Sequence, residues 1–314
     1  MTAPRGPDGR FHNVVPRQGA GTSWRAVWHW RRTRQPQPWP AWVQDPPQPP
    51  PVRTEALSVT FINHASFYVQ VGGRAVLLDP IWSARCSPMP GFGPKRVRAP
   101  GQKLEALPGV DLLLLSHCHY DHLDLPTLRQ VRRLWQPAAV TGLGNARHLA
   151  KAGIPHAHEL DWWQTHHSGG LTITYVPAQH FSARTPWDRN QALWGGFVIQ
   201  GGGQTLYFAA DSGWCGHFAE IAQRFPRIDC ALIPIGAYEP RGFMRFQHMN
   251  PEEAVQAHLA LGARRSLGMH YGTFAGLTDE AIDAPERDLA EARLKHGVAA
   301  DAFTTLPFGA TLTL

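Results

Sequence analysis

Between Leu112 and Asp124 the chain reads LLLLSHCHYDHLD. Three histidines and an aspartate fall within six residues, His117-Cys118-His119-Tyr120-Asp121-His122. The leucines read as a buried strand, which puts the cluster in the loop at that strand's end. Alternation along an extended chain places His117 and His119 on one side, where two imidazoles can hold one metal ion. Asp121 and His122 lie just beyond and can turn toward a second. Neutral imidazole and carboxylate at short spacing are the donors that zinc-like ions take. A single histidine is usually structural. Three in six positions after an apolar strand are not something folding requires.

Two ions need more donors than one loop offers. Downstream, TYVPAQH ends in His180, LYFAADSG holds Asp211 and SLGMHYG holds His270. Each follows an apolar run at the mouth of an expected strand. Any one alone reads as a polar loop residue; their recurrence at strand ends argues for a shared site. The order assigns His117, His119 and His180 to one ion and Asp121, His122 and His270 to the other, with Asp211 able to bridge both. Cys118 could be a ligand, but its neighbours already complete the set, and with Tyr120 it reads as a spacer. His156, His158, His166 and His167 follow no such strand end and read as surface or structural residues. A histidine and aspartate set favours two Zn2+, with iron or manganese compatible. Two ions about 3.5–4 Å apart lower the pKa of a shared water, which can then attack an electrophile at neutral pH. Asp121 would orient that water.

Several elements must carry these residues. LSVTFI, SFYVQV, AVLLD, DLLLL, AAVTGL, LTITYV, GFVIQ, TLYFAA, CALIPI and SLGMH are strand candidates. Helical stretches are expected at 125–134, 145–151, 216–225, 251–261 and 278–295. Pro251 followed by Glu252 and Glu253 suits a helix opening, because proline fits the first turn and acids favour the dipole there. Two strand-rich halves with intervening helices imply an α/β protein of two stacked sheets covered by helices. No internal repeat of fixed period is visible.

Residues 1–56 differ from the rest. Pro36 to Pro51 holds eight prolines in 16 residues, so it is extended rather than helical. The expected division is an arm over 1–56 that wraps a hydrolase domain over 57–314. Within the arm, Trp24, Val27, Trp28 and Arg31 share one helical face, with Thr22 or Ser23 as cap. Arg25, Arg31, Arg32 and Arg34 accompany three tryptophans with no acid among them. Residues 22–34 therefore read either as a segment packed on the domain or as a peripheral membrane contact, with indoles at headgroup level.

The 314 residues are 43% hydrophobic and 17% charged, which excludes global disorder. A formal charge of +6 favours anionic partners such as phosphate esters or anionic lipid. No nucleic-acid-reading motif occurs, so no nucleic acid is expected. The four cysteines form no Cys-x-x-Cys pair, so reduced thiols are expected rather than a disulfide scaffold. The N-terminus lacks an apolar signal region, and no apolar run is long enough to span a bilayer. The expectation is a cytoplasmic protein, with peripheral membrane contact and homodimerisation both compatible.

The hexapeptide with its downstream His, Asp and His resembles the metallo-β-lactamase superfamily. LDPIWSARCSP, GPKR, LSHCHYDHLD, ELDWW, FAADSG, IPIGAYEPR, QHMNPEEAV and MHYGTF resemble the family of N-acylphosphatidylethanolamine-hydrolysing phospholipases D. These segments run from Leu78 to Phe274, and RFHN at Arg10 extends the likeness toward the N-terminus. The resemblance implies an αβ/βα sandwich with a dinuclear site between two mixed sheets. It also implies attack at phosphorus that releases the alcohol headgroup and leaves a phosphatidate. His64 in FINHASF matches a family Gly-His-Ala-Ser/Thr segment and would support a metal ligand. Asn63 stands where glycine is usual, and asparagine tolerates a left-handed backbone. Gln247 and His248 match a family segment near the substrate. They would donate to phosphate, with His248 joining Asp121 and Asp211 in catalysis; a satisfied surface pair is the other reading. Arg184 and Tyr238, then Arg241 and Tyr271, are further substrate candidates.

Asp211 argues against true β-lactamases, many of which lack it. His119 stands where oxygen-reducing di-iron members carry glutamate. A lactonase, a cyclic-phosphate esterase and a membrane-binding protein with a structural metal are the competing functions.

Overall fold

The computed structural model describes residues 2–16, 32–89 and 91–314. The expected helix around Trp24, Val27, Trp28 and Arg31, with Thr22, Ser23 and Arg25, lies outside the described residues. Strands β1 (Ser58–Asn63), β2 (Ser66–Val71) and β3 (Arg74–Leu78) form an antiparallel meander. Strands β5 (Leu112–Leu115), β6 (Ala138–Gly142) and β7 (His158–Leu160) continue that sheet in parallel, and β16 (Thr311–Thr313) closes its other edge. The second sheet repeats the plan. An antiparallel run of β8 (Thr165–Ser168), β9 (Leu171–Val176), β10 (Gly196–Gly201) and β11 (Gln204–Phe208) leads into parallel β12 (Cys230–Pro234), β13 (Arg265–Met269) and β15 (Phe303–Thr304). Strand β4 (Lys95–Arg96) pairs with β14 (Phe274–Ala275) as a separate ribbon. The two halves share a topology with no matching repeat in sequence.

Four leucines in a row make sense once both faces of β5 are covered. Leu112 and Leu114 join the core between the sheets, with Leu78, Val140, Ile173 and Tyr175. Leu113 and Leu115 join an outer core with Leu128 and Val131 of the helix Leu125–Leu134. Each side chain so buried contributes roughly 1.5–3 kcal/mol, and together they make a rigid base for the loop that follows. Behind the second sheet, the helix Pro251–Leu261 begins as expected, but Glu253 does more than favour the dipole. It closes a reciprocal capping box with Asn250. The last long helix begins later than expected, at Ala284–His296, because Pro285 fits only a first turn. The strands β4, β7, β8, β14, β15 and β16 have no counterpart among the expected strands; each is only two to four residues long.

The described parts of 1–56 lie along the rest of the chain. Ala3 and Phe11 are buried in the inter-sheet core. Farther on, Gln37 N donates to Asp279 O, Trp39 Nε1 to Glu280 O and Val43 N to Val97 O. Arg34 donates to Asp279 Oδ1 at 2.8 Å and to Thr278 O at 2.9 Å. That arginine is engaged by protein. Among the described residues, no helix is long and apolar enough to cross a membrane.

One contact ties the sheets together beside the site. The Tyr175 hydroxyl, from the second sheet, donates to Ser116 O at 2.7 Å, immediately before His117. Gly142, at the end of β6, leaves room for that ring: a Cβ there would lie 2.6 Å from Tyr175 Cζ. Gly142→Ala should therefore lower the urea-unfolding free energy by about 1–3 kcal/mol. A change near zero would show that Tyr175 is not held there.

Candidate metal centre

Every candidate donor leaves the C-terminal end of a strand. His117 follows β5, His180 follows β9, Asp211 follows β11 and His270 follows β13. Behind His117 the loop folds back on itself, with His122 N and Leu123 N both donating to His119 O. The result is two groups of donor atoms, each within 4.8 Å of one another: His117, His119, His180 and Asp211, and His64, Asp121, His122 and His270. Asp211 lies between them. Its Oδ2 is 3.6 Å from His180 Nε2 and 3.1 Å from His122 Nε2, while its Oδ1 is 3.1 Å from His270 Nε2.

The atoms behind the donors fix which nitrogens carry hydrogen. Asp79, at the end of β3, accepts from His122 Nδ1 at 2.7 Å and from Ser116 N at 2.7 Å. Ser116 Oγ donates to the same carboxylate and lies 2.9 Å from His117 Nδ1. The serine hydrogen is thus committed to Asp79, so His117 Nδ1–H must donate to Ser116 Oγ. His180 Nδ1 donates to Gln247 O at 2.9 Å. His117 Nε2 and His180 Nε2 are then bare lone pairs, and both face His119 Nδ1, at 2.9 and 3.1 Å. One hydrogen on His119 could satisfy only one of them. In the second group, His122 Nε2 and His270 Nε2 each face an Asp211 oxygen at 3.1 Å, positions where a cation can replace the ring protons. Imidazoles and carboxylates gathered in this way fit a metal, and the clusters are able to bind one.

Charge separates the groups. Burial pushes His119 down to about 4 and His180 to about 3, and takes His117 well below its ordinary value. These three are neutral imidazoles. Burial also opposes charge on His122 and His270, but Asp211 and Asp121 outweigh it; His270 is held up to about 9 and His122 well above its ordinary value. Both carboxylates are held well below the carboxylate range against their burial, His122 being the largest favourable influence on each.

His64 donates from Nε2 to Asp121 Oδ2 at 3.0 Å. Burial, then His270, drives its pKa to about 3, so it does this as a neutral ring. The left-handed residue of this turn is His64 itself, at φ 47°. That corrects the expectation for Asn63, which lies within β1 and donates to Ile81 O at 3.2 Å. Asp79, Ala210, Ala237 and His270 also have positive φ, so backbone strain gathers around the donors.

A cavity of about 300 Å³ opens over the donors, lined by His119, Asp121, Asp211 and His270 together with His248, Phe181, Met244 and Leu277. His248 Nδ1 has no partner, and Arg241 holds its carbonyl at 2.9 Å while pairing with Glu253. Gln247 lines the cavity too, but its amide rests on Met244 Sδ and its carbonyl is what holds His180. Arg184 is placed elsewhere. Its Nη1 donates to Cys118 O and Leu123 O, and its guanidinium stacks 3.8 Å from the Tyr120 centroid. It clamps the hexapeptide from behind and lines an adjoining cleft of about 670 Å³. Tyr238 is also placed away from the cavity, because its hydroxyl is bound by Asp288. Tyr271 is buried against Phe61. Cys118 points into the outer core, where burial raises its thiol to about 11. Asp79 was missed by sequence reasoning, although it ends an apolar run as Asp211 does.

A model of the Beta-lactamase superfamily domain matches residues 74–271. The N-acyl-phosphatidylethanolamine-hydrolyzing phospholipase D 1 of Caenorhabditis elegans is 37% identical over 246 residues, covering 75% of this chain and 69% of that protein. The mitochondrial N-acyl-phosphatidylethanolamine-hydrolyzing phospholipase D of Saccharomyces cerevisiae is 31% identical over 237 residues, covering 73% of this chain and 50% of that protein. The chain therefore matches only half of the yeast relative's length. A solved structure of a possible metal-dependent hydrolase from Veillonella parvula has a TM-score of 0.67 at 15% identity, covering 82% of this chain and 100% of that one. That likeness speaks for the fold alone. With two mixed sheets flanked by helices, donor clusters at the strand ends and these matches, the chain belongs to the metallo-β-lactamase superfamily, as a metal-dependent hydrolase related to the N-acylphosphatidylethanolamine-hydrolysing phospholipases D.

Proposed function

We propose that the chain is a dinuclear metallophosphodiesterase of phospholipase D type. Its substrates would be N-acylphosphatidylethanolamine-like phospholipids, cleaved to a phosphatidate and an N-acylethanolamine. The observation that carries this reading is Asp211, one buried carboxylate facing both donor groups. In this reading His117, His119 and His180 would hold one ion, Asp121, His122 and His270 would hold the other, and Asp211 would serve both. Two Zn2+ suit the set, with iron or manganese compatible. Bound ions supply Lewis-acid polarisation of a phosphoryl oxygen and a lowered pKa for the attacking water.

The chain's own residues do the rest. Asp121, aligned by His64, accepts a hydrogen bond from the water and sets its direction. His248 is kept neutral by burial and offers its N–H to a non-bridging phosphoryl oxygen. Arg241 fixes the backbone that carries it. Phe181, Met244 and Leu277 form an apolar wall that excludes bulk water. The bond broken joins phosphorus to the headgroup oxygen; the water oxygen stays on phosphorus and a proton leaves with the alcohol. The substrate class is supported by the names of the worm and yeast relatives. The proposed division keeps 57–314 as the hydrolase domain. Within the arm, residues 22–34 would either pack on the domain or make a peripheral membrane contact, and Arg34 is engaged by protein.

A second reading, a small soluble ester such as a lactone, is favoured by the cavity's volume of about 300 Å³. That is at the low end for ligand sites, which run from roughly 300 to 1,000 Å³. Products from N-acylphosphatidylethanolamine, ordinary phospholipids, an aryl phosphodiester and lactones separate the two. We expect diester cleavage to phosphatidate; rapid lactone opening without diester turnover would overturn it.

Two further outcomes are expected. In the metal-free protein His122 and His270 hold protons below their raised pKa values, about 9 for His270. Metal loading at pH 7 must expel those protons. Calorimetry in buffers of different ionisation enthalpy should report release of about one to two protons per protein, and apparent affinity should rise with pH toward 9. Metal uptake with zero release would show that His122 and His270 are already neutral in the metal-free protein. Deleting residues 17–31 should lower co-sedimentation with anionic vesicles while leaving aryl phosphodiester turnover intact. Unchanged co-sedimentation would remove the membrane contact.

A further inference from the structure

His180 lies beyond the end of β9 at Val176, out of reach of the sheet's ladder. Its backbone N–H and C=O are buried and need partners. Both come from one side chain near the other end of the chain. His180 N donates to Asn13 Oδ1 at 3.1 Å, and Asn13 Nδ2 donates to His180 O at 2.7 Å. The amide of Asn13 thus does what a neighbouring strand would do, pairing with donor and acceptor of a single residue. Its orientation is not free. Trp194, fully buried, shares its Nε1–H between Asn13 Oδ1 and Ala178 O, each at 3.0 Å. Two donors face the oxygen and a carbonyl faces the nitrogen, so only one amide orientation satisfies all three.

The segment bearing Asn13 is itself anchored. Phe11 is 3% exposed, and its N–H donates to Asn190 O at 2.9 Å. Gln179 Nε2 donates to Val15 O at 2.9 Å. Ala3 N donates to Asp161 Oδ1 at 2.9 Å. The His180 ring is gripped at its far side by Gln247 O. With backbone and Nδ1 both held, Nε2 has one direction left, toward His119 and Asp211.

We infer that Asn13 is a positioning residue of the metal centre, and that residues 2–16 are a working part of the hydrolase site rather than of an accessory arm. The inference rests on His180 being a ligand. It moves the functional boundary away from residue 56: a chain cut there would keep every donor and lose the brace on one of them. A purely adhesive role for the segment predicts something different. Arg10 lies on the same segment and donates to Trp187 O at 3.1 Å, but touches no donor. Removing it loosens the segment without releasing His180.

The test is metal affinity by chelator competition on metal-free full-length protein, with the absorption spectrum of the cobalt-loaded protein as second readout. Wild type, Asn13→Ala, Arg10→Ala and His180→Ala are compared, each checked for folding by circular dichroism. Asn13→Ala should weaken one of two ions by about tenfold to a hundredfold and change the cobalt spectrum. Arg10→Ala should match wild type in both. His180→Ala should lose that ion altogether. Should Asn13→Ala not fold, Asn13→Asp keeps the acceptor for His180 N–H and Trp194 but turns a carboxylate oxygen against His180 O in place of the donor. It should weaken the same ion. Wild-type affinity and spectrum in the Asn13 variant, with the ion lost in His180→Ala, would overturn the inference. Both ions retained in His180→Ala would instead overturn the ligand assignment beneath it.

Discussion

Lone pairs that face one another in a dry interior repel, and this constraint shapes the whole site. Bringing His117 Nε2 and His180 Nε2 to about 3 Å from one nitrogen of His119 is unfavourable unless something holds them there. What holds them is the opposite nitrogen of each ring. Asp79 acts on His117 through Ser116 and on His122 directly, so one buried carboxylate aims a ring in each donor group. Gln247 O does the same for His180. Hydrogen bonds to the back of the rings therefore set the front of the site, as second-layer partners commonly do around metals.

That arrangement needs both sheets. The first sheet delivers His64, Asp79 and the hexapeptide; the second delivers His180, Asp211 and His270. Neither half contains a full set of donors for either group. The inter-sheet core sets the spacing between the halves, and Tyr175 locks the two together next to His117. The burial that makes the core also keeps His117, His119 and His180 neutral, so stability and donor chemistry come from the same loss of water. The opposite protonation of His122 and His270 arises because two carboxylates share their space. Burial alone would have made them neutral as well.

The residues that cluster in space were legible in the chain because their signal is local. Histidines two and three residues apart after four leucines, and a polar residue just past each of three apolar runs, survive as pattern without any knowledge of the sheets. The sandwich followed from the same runs. Asp79 carried that signal also, in AVLLD, but its role is to face backward, and nothing in spacing distinguishes a carboxylate that binds from one that braces. Tyr238 and Arg184 had suitable chemistry, yet the hydroxyl of one is bound by Asp288 and the guanidinium of the other by loop carbonyls. Those partners lie 50 and 66 residues away, a distance over which sequence pattern carries no geometry.

Asn13 is the extreme of that limit. Its partner His180 is 167 residues distant, and RFHN contains nothing that points to a histidine loop. The proline-rich stretch between them also suggested an accessory arm, because Pro36 to Pro51 can contribute to neither a helix nor an inner strand. Extended chain, however, is well suited to running along a surface and delivering a short segment to a remote place. Its partners come from the ordered core: Val97 O for Val43 N, Asp279 O for Gln37 N. Low regular structure in this region therefore reflects how the chain is routed, and a segment so routed can serve a site that its composition gives no hint of.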